Sequence, residues 1–191
     1  MANDVILKCA IAAMWGAWLA YWAVAARGTK KIRWRESSVS QSLHIVPLGL
    51  AGLLVGVSDW PLGFLNARIF PYSFSVSAAG VAVLALALGF SVWARIHLKG
   101  NWSATVTVKE GHELIRSGPY KYVRHPIYTG LIFGIFGMAI WAGEWRGIFA
   151  VLLTILAFTY KSRTEERELV KNFPEYEDYR RKTAALIPFI F

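Results

Sequence analysis

Five apolar runs, two of them long enough to reach across a bilayer unaided, leave this chain few soluble alternatives. A spanning helix needs about 20 mostly apolar residues. The runs cover residues 5–26, 43–57, 74–94, 127–141 and 147–160. The third carries no charge before Arg95. The second contains Pro47 and ends at an Asp59-Trp60-Pro61 turn. The last two are short and are split by Ala142-Gly143-Glu144-Trp145-Arg146, a pattern that predicts a tight helical hairpin. Only 17% of the residues are charged, against about 25% in soluble domains. The chain therefore reads as a single all-α domain, residues 1–191, a polytopic integral membrane protein with five transmembrane helices. Ala23-Val24-Ala25 looks like a signal-peptidase site. Asp4 opposes Lys8, however, and a basic run follows Arg27, so the first span is expected to be retained.

The net charge of +9 would suggest nucleic acid in a soluble protein, but its placement gives another reason. Eighteen of the 21 Lys and Arg residues fall in segments 27–42, 95–126 and 161–191. Five spans put all three on one side, and the positive-inside rule makes that side cytosolic. The expected topology is N-terminus out and C-terminus cytosolic, with a cytosolic loop (95–126), a cytosolic tail (161–191) and no nucleic-acid partner. The single cysteine, Cys9, excludes an internal disulfide; its apolar run predicts a buried thiol. The four histidines lack ligand spacing, so no metal site is expected. There is no dinucleotide fingerprint and no P-loop.

The polar material is thus concentrated in the loop and the tail. Residues 104–108 alternate with β-branched residues and predict extended chain. Gly111 and Ser117-Gly118-Pro119 predict turns, and Tyr120–Arg124 a turn of helix. Pro126 suits the first position of the fourth span, with His125 at its N-cap, where free N–H groups favour anions. Aromatic Tyr120, Tyr122 and Tyr128 also suit an interfacial belt. In the tail, Ser162 and Glu165 fit a capping box. Arg163 and Arg167 lie four apart, an unfavourable like-charge pair that suggests an anionic partner or else a solvated helix. Leu169, Phe173 and Tyr176 predict a stripe against the membrane face, and Pro174 a helix break. The apolar end from Leu186 is expected to dock back. Gly130, Gly134 and Gly137 would let the fourth span approach a neighbour closely.

The run Arg116-Ser117-Gly118-Pro119-Tyr120-Lys121-Tyr122-Val123-Arg124-His125-Pro126-Ile127-Tyr128-Thr129-Gly130 resembles a signature of the isoprenylcysteine carboxyl methyltransferase family. Glu165-Glu166, Leu169, Phe173, Tyr176, Tyr179 and the closing Ile187-Pro188 resemble its C-terminal signature. The resemblance covers roughly residues 95–191. It implies an S-adenosylmethionine-dependent methyltransferase built from membrane helices, with loop and tail forming the cofactor site. By position it implies cofactor contacts from Thr107, His112, Glu113, Leu114, Ile115, Tyr120, His125, Pro126, Ile127, Tyr128, Glu165 and Glu166. A basic residue before the glutamate pair would hold the substrate carboxylate. Arg163 is preferred for its two parallel donors, and Lys161 competes for the role. Methyl transfer to an ionised carboxylate needs alignment rather than a general base, which suits a chain without a catalytic dyad. The implied acceptor is a prenylcysteine or similar lipid-like molecule in the bilayer. Alternative readings are a phospholipid amine N-methyltransferase, a nicotinamide-dependent sterol-type reductase and a non-enzymatic membrane protein.

Overall fold

The computed structural model describes residues 2–58, 60–109 and 114–187. Its elements in order are α1 (Ala2–Ala26), β1 (Ile32–Arg35), α2 (Ser38–Gly56), α3 (Phe74–Leu98), β2 (Thr107–Lys109), α4 (Pro126–Ala142), α5 (Trp145–Asn172) and α6 (Tyr176–Lys182). Single 3-10 turns precede α3, follow it and lie at Gly118–Lys121. Three helical stretches, Asn3–Ala26, Ser38–Gly56 and Phe74–Asn101, are long and apolar enough to cross a membrane; Pro126–Ala142 is a shorter apolar helix.

Local chemistry sets several boundaries. The Ser37 hydroxyl accepts from Ser40 N–H and caps α2, which starts five residues before the apolar run and carries Pro47 inside it. Pro126 occupies the first turn of α4 with His125 as N-cap, and Gly143 ends it in the left-handed region at φ 64°. The turn that follows hands the chain directly to α5.

α5 departs from expectation. It runs unbroken for 28 residues, about 42 Å, through the point where the apolar span gives way to the charged tail. No Gly or Pro interrupts Lys161–Asn172, so nothing stops the helix at the polarity change. The Ser162 hydroxyl donates to Thr159 O within the helix rather than capping a new one, which overturns the capping box. Cys9 is exposed on α1, not buried. The chain is also not purely helical: β1 and β2 form a two-stranded antiparallel ribbon.

That ribbon sorts the two ends of the bundle. It joins segment 27–42 to segment 95–126, and Lys30 N–H donates to Gly100 O beside it. At the opposite end an isolated bridge joins Arg68 to Glu144. The cation-rich connections 27–42 and 95–126 therefore gather at one end. Buried Arg95 closes that end, donating to Lys99 O and to Ala25 O at the close of α1.

α3 and α4 form the closest pair. A Cβ built on Gly80 would lie 2.6 Å from Gly137 O, and one on Gly137 would lie 2.6 Å from Gly80 O. A Cβ on Gly130 would meet Ala87 O at 2.8 Å, whereas Gly134 finds its nearest neighbour at 3.5 Å. Two of the three α4 glycines therefore permit backbone contact, and Gly134 does not need to be glycine. Trp18 Nε1 donates to Ser91 Oγ at 2.8 Å and ties α1 to α3. Gly137→Ala is expected to destabilise the protein by roughly 1–3 kcal/mol through overpacking, and Gly134→Ala to be near neutral. Denaturation in detergent micelles measures both.

Candidate active site

At the ribbon end, loop and tail meet around one imidazole. His125 Nδ1 lies 3.3 Å from Glu165 Oε2, and its Nε2 lies 3.1 Å from Glu166 Oε1. Arg124 Nε donates to the same Glu166 oxygen at 2.6 Å, and Arg124 Nη1 reaches Arg180 O at 3.0 Å. Arg124 N–H and His125 N–H donate to Ala184 O and Ala185 O, and the Thr129 hydroxyl donates to Leu186 O. Residues 184–186 thus dock onto the start of α4, while residues 188–191 of the apolar end lie outside the described residues.

Tyr128 stands beside this clamp. Its hydroxyl donates to Glu165 Oε1 at 2.5 Å. Its ring stacks on His125 at 5.4 Å and on Phe158 at 4.6 Å. Lys161 Nζ sits 5.1 Å from the Tyr128 ring centroid and donates to Ala104 O at 2.5 Å.

The charges follow from these contacts. Burial alone would disfavour an imidazolium, but hydrogen bonds and charge from Glu165 and Glu166 raise His125 above its ordinary value. Burial opposes ionisation of Glu166 too, yet His125 and Arg124 hold it at about 2. Glu165 is likewise held low against burial, by His125 and Lys161. Burial lowers Lys161, while Glu165 and Glu36 oppose the shift. Burial pushes Tyr179 up to about 12.

Two voids flank the Tyr128–Phe158 stack. On the tail side is a cleft lined by Trp102, Val106, Thr107, Leu114, Ile115, Tyr120, His125, Ile127, Tyr128, Glu165, Leu169 and Tyr176, among others. On the membrane side is an open apolar cavity of about 1110 Å³, with Trp15, Trp18, Leu48, Leu131, Ile135, Thr154 and Phe158 in its wall.

Of the residues expected to contact a cofactor, Thr107, Leu114, Ile115, Tyr120, His125, Ile127, Tyr128 and Glu165 share the cleft. Pro126 is buried at the start of α4, outside the cleft lining. Glu166 faces Arg124 and a separate surface groove. His112, Glu113 and Pro188 lie outside the described residues. Arg163 is exposed and lines that same groove, whereas Lys161 is buried at the stack. Two residues along a helix from Glu165 is about 200° around it, so Arg163 cannot share Glu165's face. Lys161, one turn earlier, does.

Sequence reasoning missed Trp102, Val106 and Arg124 as cleft residues. It also placed Leu169 and Tyr176 against the membrane, where the structure puts both in the cleft. Arg124 and Tyr176 stood inside the quoted motifs and could have been marked by them. Glu36 had no local signal. It accepts from Val106 N–H at 3.0 Å, His44 Nε2 at 2.8 Å and the Ser40 hydroxyl at 2.6 Å, bracing the cleft wall from behind.

The clamp has a definite pH signature. His125 is raised in the folded state, so its contribution is complete below its unfolded pKa near 6.5 and is lost as pH rises through the raised value. Glu166 is lowered, so its contribution is complete above about 4.5 and is lost as pH falls toward 2. Thermal stability is expected to peak between these limits. A His125→Gln variant should lose most of the alkaline decline; melting curves across pH in detergent check this.

The family described as phospholipid methyltransferase (PEMT) matches residues 76–176, just over half the chain and all of the loop. The cobalt-zinc-cadmium resistance protein CzcN of Cupriavidus metallidurans is 32% identical over 146 residues, 75% of this chain and 60% of that protein. This chain thus spans about three fifths of that relative's length. Protein-S-isoprenylcysteine O-methyltransferase of Schizosaccharomyces pombe is 36% identical over 81 residues, 41% of this chain and 34% of that one. A solved structure of the eukaryotic intramembrane Ras methyltransferase ICMT superposes with a TM-score of 0.56 at 21% identity, covering 80% of this chain and 52% of that one. The fold is therefore of the ICMT type, and the match across the first motif, the hairpin and the tail as far as Tyr176 places this chain in the phospholipid methyltransferase (PEMT/ICMT) family.

Proposed function

We propose that the chain transfers a methyl group from S-adenosylmethionine to the carboxylate of a prenylcysteine or similar lipid-like acid, at the cytosolic membrane face. The observation that carries this reading is the order of residues along one face of α5. Thr154 and Phe158 line the apolar cavity, Lys161 follows, and Glu165 and Leu169 line the cleft. Steps of three and four keep them on one face. A lipid tail in the cavity and a polar donor in the cleft would meet beside Lys161.

The cleft's donor set suits this cofactor. Glu165 offers a carboxylate to its ammonium or ribose. Trp102, Tyr120 and Ile127 offer flat or apolar walls to its adenine. The buried Tyr176 hydroxyl has no hydrogen-bond partner among the described residues and lines the same cleft. When bound, S-adenosylmethionine supplies an electrophilic methyl group on a sulfonium.

The chain's own part is alignment and exclusion of water. An acceptor carboxylate with an ordinary pKa near 4 is already ionised at pH 7, so no proton need be removed. His125 has both ring nitrogens committed to glutamates, so it acts as a positioning residue through Glu165. Lys161 holds the acceptor carboxylate as a point charge. We assign this role to Lys161 rather than Arg163 because Lys161 lies on the α5 face between cavity and cleft. Five crossings, with loop and tail cytosolic, give the donor access from the cytosol and the acceptor access from the bilayer. The name of the fission-yeast relative supports the carboxyl acceptor, while the family description supports an amine as the second reading.

Lys161→Ala should lower kcat/KM with a farnesylated cysteine analogue by about ten- to a hundredfold, the loss of one charge-assisted contact worth about 1.5–3 kcal/mol. It should leave S-adenosylhomocysteine affinity near that of the parent, and Arg163→Ala should have a smaller effect. Glu165→Gln should instead weaken S-adenosylhomocysteine binding in calorimetry. Labelled methyl on the farnesylated analogue should be released as methanol by mild base. Base-stable label on phosphatidylethanolamine alone would replace this reading with the amine one. Reporter fusions after residues 66 and 143 should face away from those after residue 35 and at the C-terminus.

A further inference from the structure

Arg163 and Arg167, which the proposed reaction does not use, stand in a groove of about 450 Å³ shared with Glu166, Val170, Lys171, Glu177 and Arg180. Both arginines are exposed. Neither has a hydrogen bond or ion pair among the described residues. The neighbouring acids are already engaged. Glu166 turns inward to Arg124 and His125, Glu177 pairs with Arg180 at 3.3 Å, and Glu168 pairs with Lys171 at 2.7 Å. Two unneutralised guanidiniums therefore sit one turn apart on one helical face, a spacing that mildly destabilises the helix when nothing lies between them.

Their height along α5 identifies what can lie between them. α5 starts at Trp145, a half-exposed aromatic of the kind that favours the membrane–water interface. At 1.5 Å per residue, Arg163 is about 27 Å and Arg167 about 33 Å further along the axis. The hydrocarbon core is about 30 Å thick, so the two guanidiniums bracket its far boundary. Lipid phosphates lie a few ångströms beyond that boundary, within reach of the long arginine side chains. A guanidinium presents paired donors that match phosphate oxygens, which suits this ligand better than an ammonium would.

We propose that the Arg163–Arg167 groove is a headgroup site for an anionic phospholipid of the leaflet on the loop side of the membrane. The phosphodiester lies between the two guanidiniums, with Arg180 and Lys171 at the outer edge of the groove. The site is separate from the cleft and the apolar cavity. It shares with the clamp Glu166, whose charge is cancelled from the inner side, and Arg180, whose carbonyl accepts from Arg124. It does not depend on the methyl-transfer reading, because its readout is lipid retention.

The test uses the full chain in nanodiscs of phosphatidylcholine with and without phosphatidylglycerol. After partial delipidation, the ratio of retained phosphatidylglycerol to phosphatidylcholine is measured by lipid extraction, and a melting curve is recorded. Each surface cation contributes about a fivefold preference for anionic lipid, so two should give roughly 30-fold. The expected result is a strong preference, and a rise in melting temperature with phosphatidylglycerol, in the parent. Arg163→Gln/Arg167→Gln should lose most of both while melting like the parent in pure phosphatidylcholine. Arg163→Lys/Arg167→Lys should keep part of the preference. The proposal is overturned if the glutamine variant retains the full preference or melts lower in pure phosphatidylcholine. It is overturned equally if inorganic phosphate reproduces the phosphatidylglycerol shift, or if only an acidic peptide does.

Discussion

His125, held between two glutamates, joins parts of the chain that are otherwise far apart in sequence. Its ring touches Glu165 through one nitrogen and Glu166 through the other, some forty residues away. Burying so many charges is unfavourable unless each finds partners. Here each does: Arg124 completes Glu166, Tyr128 completes Glu165, and His125 meets one glutamate through each ring nitrogen. With every partner in place, the loop can sit on the tail in only one register. The cleft exists because that register is fixed. Loop residues Trp102, Val106, Thr107, Leu114, Ile115 and Tyr120 form one wall, and tail residues Glu165, Leu169, Tyr176 and Tyr179 form the other.

The second constraint is the continuity of α5. A helix that broke where the sequence turns polar would leave the charged tail free to move relative to the membrane cavity. One rigid helix instead fixes the distance between Phe158 in the cavity and Glu165 in the cleft at seven residues, about 10 Å. A reaction whose barrier is lowered chiefly by orientation depends on that kind of fixed spacing. The stacked rings of His125, Tyr128 and Phe158 lie between the apolar cavity and the cleft.

Much of this was legible in the sequence because it is local. The apolar runs gave the helices, the placement of cations gave the sorting of the ends, and Pro126 and Gly143 marked both limits of α4. The quoted motifs carried most of the cleft, since Tyr120, His125, Ile127, Tyr128 and Glu165 all meet there. What could not be read was helical phase and long-range pairing. Arg163 and Lys161 look equivalent beside Glu165 in a linear sequence, yet one is half a turn out of phase with it and the other is one turn in phase. The ribbon partner of residues 107–109 lies some seventy residues earlier, in a basic run whose brief Ile32-Arg33-Trp34-Arg35 alternation names no partner. The capping box failed because Ser162 and Glu165 satisfy its spacing equally well inside an uninterrupted helix.

Glu36 shows why the first half of the chain belongs to the site although it carries no motif. Its carboxylate binds the Val106 N–H of the cleft wall and is itself held by His44 and Ser40 from the first turns of α2. Ser40 also meets the Tyr160 hydroxyl at 3.3 Å, next to Lys161 on α5. The wall is therefore braced by α2 and α5 together, through polar contacts. Hydrogen bonds to a charged carboxylate are about twice as strong as neutral ones, and water competes less for them in this buried setting. A short three-residue strand such as β2 has little stability of its own. Glu36 supplies the fixed acceptor that lets so short a strand form a defined wall of the cleft.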